Sequence, residues 1–170
     1  MLALLLVSGA LAASAAQDRT VGLGLQLGVP PALSVQINLP KQSALELAVR
    51  PPMQGRFQLF DPVYMDGVGY SNEVWIRARW LVSPSALVEF PGDRGAELRW
   101  YSGAGLLAYF WTGSEDLALG VQIPLGLSFE PGAVPLQLWA DLDLRSCAGF
   151  PGFNGPDLRL GSSFGARWFF

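Results

Sequence analysis

The chain has 170 residues, of which 51% are hydrophobic and 15% charged, and its formal net charge is −3. That balance gives no reason to expect a nucleic-acid partner. There is no His, which removes Ser-His and Cys-His nucleophiles and His-based metal sites, and the single Cys147 cannot form an intramolecular disulfide.

Residues 1–16, MLALLLVSGALAASAA, carry an apolar core at Leu2 to Val7 and small residues at Ser14 and Ala16. This pattern predicts a signal peptide cleaved before Gln17. The apolar run is well short of the ~20 residues a spanning helix needs, and no later run reaches that length. Residues 17–170 are then expected to form one domain. Twenty Gly and thirteen Pro, poor helix formers, place its apolar residues in strands and turns.

Val21 to Gly28 sets Val21, Leu23, Leu25 and Leu27 against Gly22, Gly24, Gln26 and Gly28. Leu33 to Leu39 repeats this, and after a tight turn at Pro40 to Ser43 so does Ala44 to Arg50, with Leu45, Leu47 and Val49 against Glu46, Ala48 and Arg50. Such period-2 alternation predicts β-strands. Pro51 to Ser71 reads as a long loop carrying Phe57, Phe60, Tyr64 and Tyr70. Glu73 to Val82 alternates Val74, Ile76, Ala78, Trp80 and Val82 against Glu73, Trp75, Arg77, Arg79 and Leu81. Ser83 to Ala96 reads as a connection in which SALVEF forms a short helix or a strand extension.

Leu98 to Phe110, Leu117 to Phe129, Leu136 to Leu144 and Leu158 to Phe170 continue the pattern. Pro124 is discordant, because proline cannot donate to a ladder and belongs at a bulge or edge. Arg145 to Asp157 reads as a Gly/Pro-rich loop holding Cys147 as an incidental thiol. The expected fold is all-β: an eight-stranded antiparallel up-and-down transmembrane β-barrel, whose even strand count and strand length fit such a barrel.

Period 2 alone does not say which face is outside. Glu46, Arg50, Glu73, Arg77, Arg79, Arg99, Asp141, Asp143, Arg159 and Arg167 share the face rich in Gly, Ser and Ala. Facing lipid near the midplane, each Arg would cost about 2–4 kcal/mol, and several together would exceed a typical stability of 5–15 kcal/mol. In a membrane barrel these ten residues therefore form an interior charge network, packed with Trp75, Tyr101 and Trp139. The strand directions place Glu46 beside Arg77 at mid-depth, with Arg50 near Glu73 and Asp143 near Arg159 at the mouth. Trp80, Trp100, Phe129, Trp168 and Phe170 fall at one end of the outward faces, as an aromatic girdle requires. Asp141 and Asp143 could also form a carboxylate pair for acid–base work, but the arginines on their face favour ion pairing. Gly22, Gly24 and Gly28 lie in a strand, the wrong context for phosphate binding.

The last strand, ending on an aromatic residue, resembles the closing strand of bacterial outer-membrane barrels, and this implies that Trp168 and Phe170 serve as the insertion signal. Gly22-x-Gly24, Gly28-x-Pro30-x-x-Leu33-Ser34, Gly103-x-Gly105, Pro124-x-Gly126-Leu127, Pro135-Leu136 and Gly165-x-Arg167-x-Phe169 together resemble small OmpX/OmpA-like barrel proteins. The resemblance implies the fold and an outer-membrane location, and transfers no catalytic residue.

The reading that follows is a non-enzymatic, monomeric protein of the bacterial outer membrane. It is expected to bind no cofactor, metal or nucleic acid. Its expected partners are outer-membrane lipid, the barrel-insertion machinery and a surface contact through Phe57 to Tyr70 and Phe150 to Asn154. Two alternatives are a small pore and a soluble periplasmic lipocalin-like barrel with the apolar face inside.

Overall fold

A computed structural model describes residues 20–28, 31–51, 73–83, 85–91, 95–111, 117–148 and 157–170. The expected signal peptide (1–16), the loop aromatics Phe57 to Tyr70 and the segment Phe150 to Asn154 lie outside the described residues. The strands are β1 (Val21–Gly28), β2 (Ala32–Leu39), β3 (Ser43–Arg50), β4 (Glu73–Val82), β5 (Ala86–Phe90), β6 (Ala96–Trp111), β7 (Leu117–Glu130), β8 (Leu136–Ala148) and β9 (Asp157–Phe169).

Each strand is antiparallel to its neighbours, and β9 returns to pair with β1, from Gly22 opposite Phe169 to Gly28 opposite Ser163. The wall closes because β4 pairs with β6 over Ser102 to Trp111. β5 occupies the remainder of that same edge, along Ala96 to Arg99. It therefore continues the line of β4 rather than adding a stave, and the fold is a closed eight-stranded up-and-down barrel. The break between β4 and β5 is pinned at Ser83, whose N–H donates to the Gln42 carbonyl at 2.9 Å and whose hydroxyl donates to the Trp100 carbonyl at 2.8 Å.

The pairings also set the barrel's dimensions. Passing from Leu23 through Val35, Leu47, Ala78, Leu106, Val121 and Ser146 to Leu158, and back across the seam, advances about ten residues along β1. For eight strands this stagger tilts the staves by roughly 40° and leaves an interior that side chains can fill.

Parity decides which side chains go there. On β7, Leu119, Val121, Ile123, Leu125 and Leu127 are 47–58% exposed, while Ala118, Gln122, Pro124 and Ser128 are buried. The same division holds on the other staves: Arg77, Arg79, Glu46 and Arg167 are inside, and Leu23, Leu47, Ile76, Leu106, Leu142 and Leu160 are outside. At ~3.3 Å per residue and this tilt, the outward run from Leu117 to Leu127 stands about 25 Å tall.

Glycine makes room for the larger inward side chains at two places. A Cβ on Gly126 would meet the ring of Tyr101, and one on Gly165 would meet the ring of Trp139; each glycine lies directly opposite its aromatic in register. Pro124 is at neither a bulge nor an edge: it points inside at mid-strand, opposite Asp143, with no register shift on either side. The β6–β7 register omits the pairs that would join Gly103 and Ala104 to Pro124 and Ile123. Proline has no N–H to give, and the ladder is interrupted where it would be needed.

Candidate functional site in the barrel lumen

The lumen is stratified along its length. In the middle layer Glu46 of β3 is the hub. It accepts from Arg77 Nη2 at 2.6 Å, from Arg79 Nη2 at 2.9–3.0 Å and Nε at 3.1 Å, and from Arg167 Nη2 at 2.6 Å. Arg79 forks the other way to Asp141 at 2.7 Å and Asp143 at 3.2 Å. Asp141 also accepts from the Tyr101 hydroxyl at 2.9 Å and from the Ser163 hydroxyl, and Asp143 accepts from Arg145 Nη2 at 2.7 Å.

The planar, five-donor guanidinium suits this branching, since one arginine can face two carboxylates at once. Amides complete the shell: Arg77 donates to Gln26 at 2.6 Å, and Arg167 donates to Gln137 at 2.8 Å and to Gln36. Trp75 lies 5.3 Å from the Arg77 guanidinium, and Trp139 lies 5.9 and 5.6 Å from those of Arg79 and Arg167. These are cation–π contacts with the arginines.

Some of these bonds link neighbouring strands along the wall, and others cross the lumen. Arg79 on β4 reaches Asp141 on β8, Arg167 on β9 reaches Glu46 on β3, and Arg77 on β4 reaches Gln26 on β1. On the side of the longer connections the network is capped by a buried apolar layer of Ala32, Ala48, Trp75, Leu107, Tyr109, Trp111, Ala118 and Cys147. Tyr109 and Trp111 stack there, with ring centroids 6.3 Å apart. On the side of the chain termini a polar vestibule of about 430 Å³ ends on Glu46, Tyr101, Trp139 and Arg167.

Of the ten residues expected in the interior network, Glu46, Arg77, Arg79, Asp141, Asp143 and Arg167 meet in the middle layer. Arg99 does not: it is half-buried at the termini end and pairs with Glu97, two residues away on its own strand. Arg50 and Arg159 are half-buried at the opposite end. In register Arg50 faces Trp75, with Glu73 two residues further along β4, and Asp143 faces Gly161, with Arg159 two residues further along β9. Asp143 is accordingly buried at depth, not at the mouth, and the Glu73 side chain lies outside the described residues. The expected Glu46–Arg77 contact is present.

Two features, the extent of β8 and the neutral inward side chains, depart from the sequence reading or were missed by it. β8 continues to Ala148, so Arg145 is a network member and Cys147 is a buried inward side chain, neither of them in a loop. Continuing the alternation past Leu144 reaches both. Gln26, Gln36, Gln137 and Ser163 lie on the inward parity and serve as the network's neutral partners. At the seam, Trp168 and Phe170 point outward, 37% and 67% exposed, and the Phe170 N–H is bound to the Val21 carbonyl at 2.9 Å.

No family model and no curated protein sequence matches the chain. Among solved structures it is similar to the crystal structure of the N-terminal β-barrel domain of Pseudomonas aeruginosa OprF, at 15% identity and a TM-score of 0.43, over 88% of this chain and 95% of that one. The closure of the barrel rests on the strand pairings described above and not on that likeness.

Proposed function

We propose that this chain is a bacterial outer-membrane β-barrel that acts as a non-enzymatic, monomeric scaffold and presents its longer connections at the cell surface. The observation that carries the reading is its inverted polarity. Leucine, valine and isoleucine cover the outside, while arginine, glutamate and aspartate are buried inside. A soluble lipocalin-like barrel needs the opposite arrangement.

The outward apolar run of about 25 Å matches the band height of outer-membrane barrels. Trp80 and Trp168 are exposed at its termini end, and Trp100 and Phe129 are half-exposed there, where an aromatic girdle would meet the headgroups. Short turns such as Pro40 to Gln42 share that end with Thr20 and Phe170, and Arg50, Glu73, Ala148 and Asp157, which flank the connections 51–72 and 149–156, lie at the other. That asymmetry orients the termini toward the periplasm. Phe170, outward at the seam, fits a signal read by the insertion machinery.

The cross-lumen bonds and the aromatic cap favour a scaffold over a conduit. Fractionation of cells expressing the full chain, followed by gel mobility of cold and heated detergent extracts, tests the reading. Outer-membrane recovery with a heat-shifted band is expected. Soluble periplasmic protein with no shift would overturn it.

A further inference from the structure

The β5–β6 hairpin extends past the rim that every other short turn respects. β5 has five residues, which at ~3.3 Å each and a tilt of roughly 40° carry the hairpin about 12 Å beyond the end of β4, while β7 flanks β6 only as far as Glu97. Its two faces differ. Val88 is opposite Leu98 and Phe90 is opposite Ala96, so these share the outward parity of Leu98, and Phe129 lies opposite Leu98 on the far side of β6. Val88 and Phe90 are 43% and 46% exposed, and Phe90 meets Phe129 edge-on at 6.0 Å. On the other face Glu89 lies opposite Glu97, which pairs with Arg99.

We propose that the outward face of this hairpin, Val88, Phe90 and Leu98, lies in the lipid headgroup layer on the termini side, as a one-sided extension of the barrel's lipid contact. The inference rests on the membrane reading above. Three observations point to lipid as the occupant. The apolar face is continuous with the outward belt through Trp100, Phe129 and Leu127, so the lipid that covers the belt meets the hairpin first. The opposite face carries Glu89, exposed, and Glu97, half-buried, on the parity of Arg99, which lines the vestibule, so its charges stay in water. Depth follows from the backbone: β5 pairs only with β6, and an open strand edge does not occur in the hydrocarbon region. The headgroup layer, roughly 5–8 Å thick on each side, solvates a backbone edge and still receives apolar side chains.

The test uses the full barrel carrying Cys147→Ser, refolded into phosphatidylcholine vesicles, with one nitroxide-labelled cysteine at a time. The sites are Val88→Cys and Phe90→Cys outward, Glu89→Cys and Glu97→Cys inward, and Leu106→Cys in the belt, and each variant is first checked for the heat-shifted band. The oxygen-to-nickel accessibility ratio is expected to be highest at 106, intermediate at 88 and 90, and lowest at 89 and 97. Two outward and two inward positions are read independently, so losing one variant leaves the alternation measurable. Equal, water-like ratios at 88, 89 and 90, with 106 in lipid, would overturn the hairpin proposal alone. Labels at 88 and 90 immobilised and shielded from both reagents would also overturn it, in favour of a protein partner. A water-accessible label at 106 would instead overturn the membrane reading.

Discussion

Glu46→Gln is the substitution most diagnostic of the lumen. The change keeps volume and one acceptor but removes the carboxylate on which Arg77, Arg79 and Arg167 converge at 2.6–2.9 Å. All three arginine side chains are 0–2% exposed and Glu46 is 1% exposed, so water does not replace the lost partner. Arginine cannot shed its proton to escape. In the wild type Arg77, Arg79, Arg167 and, at the edge of the network, Arg145 face only Glu46, Asp141 and Asp143; the variant adds one more uncompensated positive charge. Breaking a buried pair in this way costs about 3–5 kcal/mol, a large share of a typical 5–15 kcal/mol. Residual bonds from Arg79 to Asp141 and from Arg167 to Gln137 place the expectation at the lower end of that range. The assay is urea unfolding in vesicles, scored by the folded band on unheated gels, with Glu97→Gln as control. The Glu97–Arg99 pair is 29% and 26% exposed, so its loss is expected to cost no more than about 1 kcal/mol. A Glu46→Gln barrel that folds with the stability of the control would refute the claim that the network holds the lumen together.

Other outcomes follow from the same geometry. Ile123→Arg, on the outward face of mid-β7 and 57% exposed, should cost about 2–4 kcal/mol in vesicles if that face meets lipid; a neutral effect would argue against lipid there. Gly126→Leu drives a side chain into the Tyr101 ring, and its unfolding midpoint should fall by an amount equivalent to about 1–3 kcal/mol; an unchanged midpoint would show that Tyr101 moves freely. Planar-bilayer recordings of the wild type should show no discrete conductance, because the cross-lumen bonds of Arg79 and Arg167 lie below an aromatic cap. Steady channels altered by Arg77→Ala or Asp141→Asn would restore the conduit reading.

Which residues share a face was legible in the sequence because that depends on parity alone. Within one strand, Glu46 and Ala48 cannot share a face with Leu47, whatever the neighbours do, and the cost of arginine in lipid then selects which face is inside. Pairing was less legible, because register is a relation between two strands separated by loops whose lengths do not specify it. The register that sets Arg50 opposite Trp75 could not be read from either strand alone. The extent of β8 was obscured for another reason: Arg145, Ser146 and Cys147 precede a Gly/Pro-rich stretch and break the apolar outward set at Ser146, although their inward parity is intact. β5 was ambiguous because Leu87 and Val88 are both exposed where its pairing shifts between Ala86 and Val88, so the segment carries no clean period of two.

The interior's composition follows from its width. Eight staves leave room for packed side chains and not for a column of solvent, so any charge placed at mid-depth must find its partner among the other inward side chains rather than in water. Lysine, with one compact and strongly hydrated head, serves poorly there; arginine reaches two acceptors while its flat face rests on an indole. The chain's single Lys41 sits exposed in the β2–β3 turn, and Arg77, Arg79 and Arg167 hold the lumen. Glycines opposite Tyr101 and Trp139 then let those rings lie against the wall and leave the axis to the guanidinium groups. With the axis so occupied, selection for a binding function is free to act on the connections 51–72 and 149–156 without disturbing the barrel. A graft of new sequence into 51–72 should therefore leave the urea midpoint of the folded band unchanged, whereas Glu46→Gln should lower it.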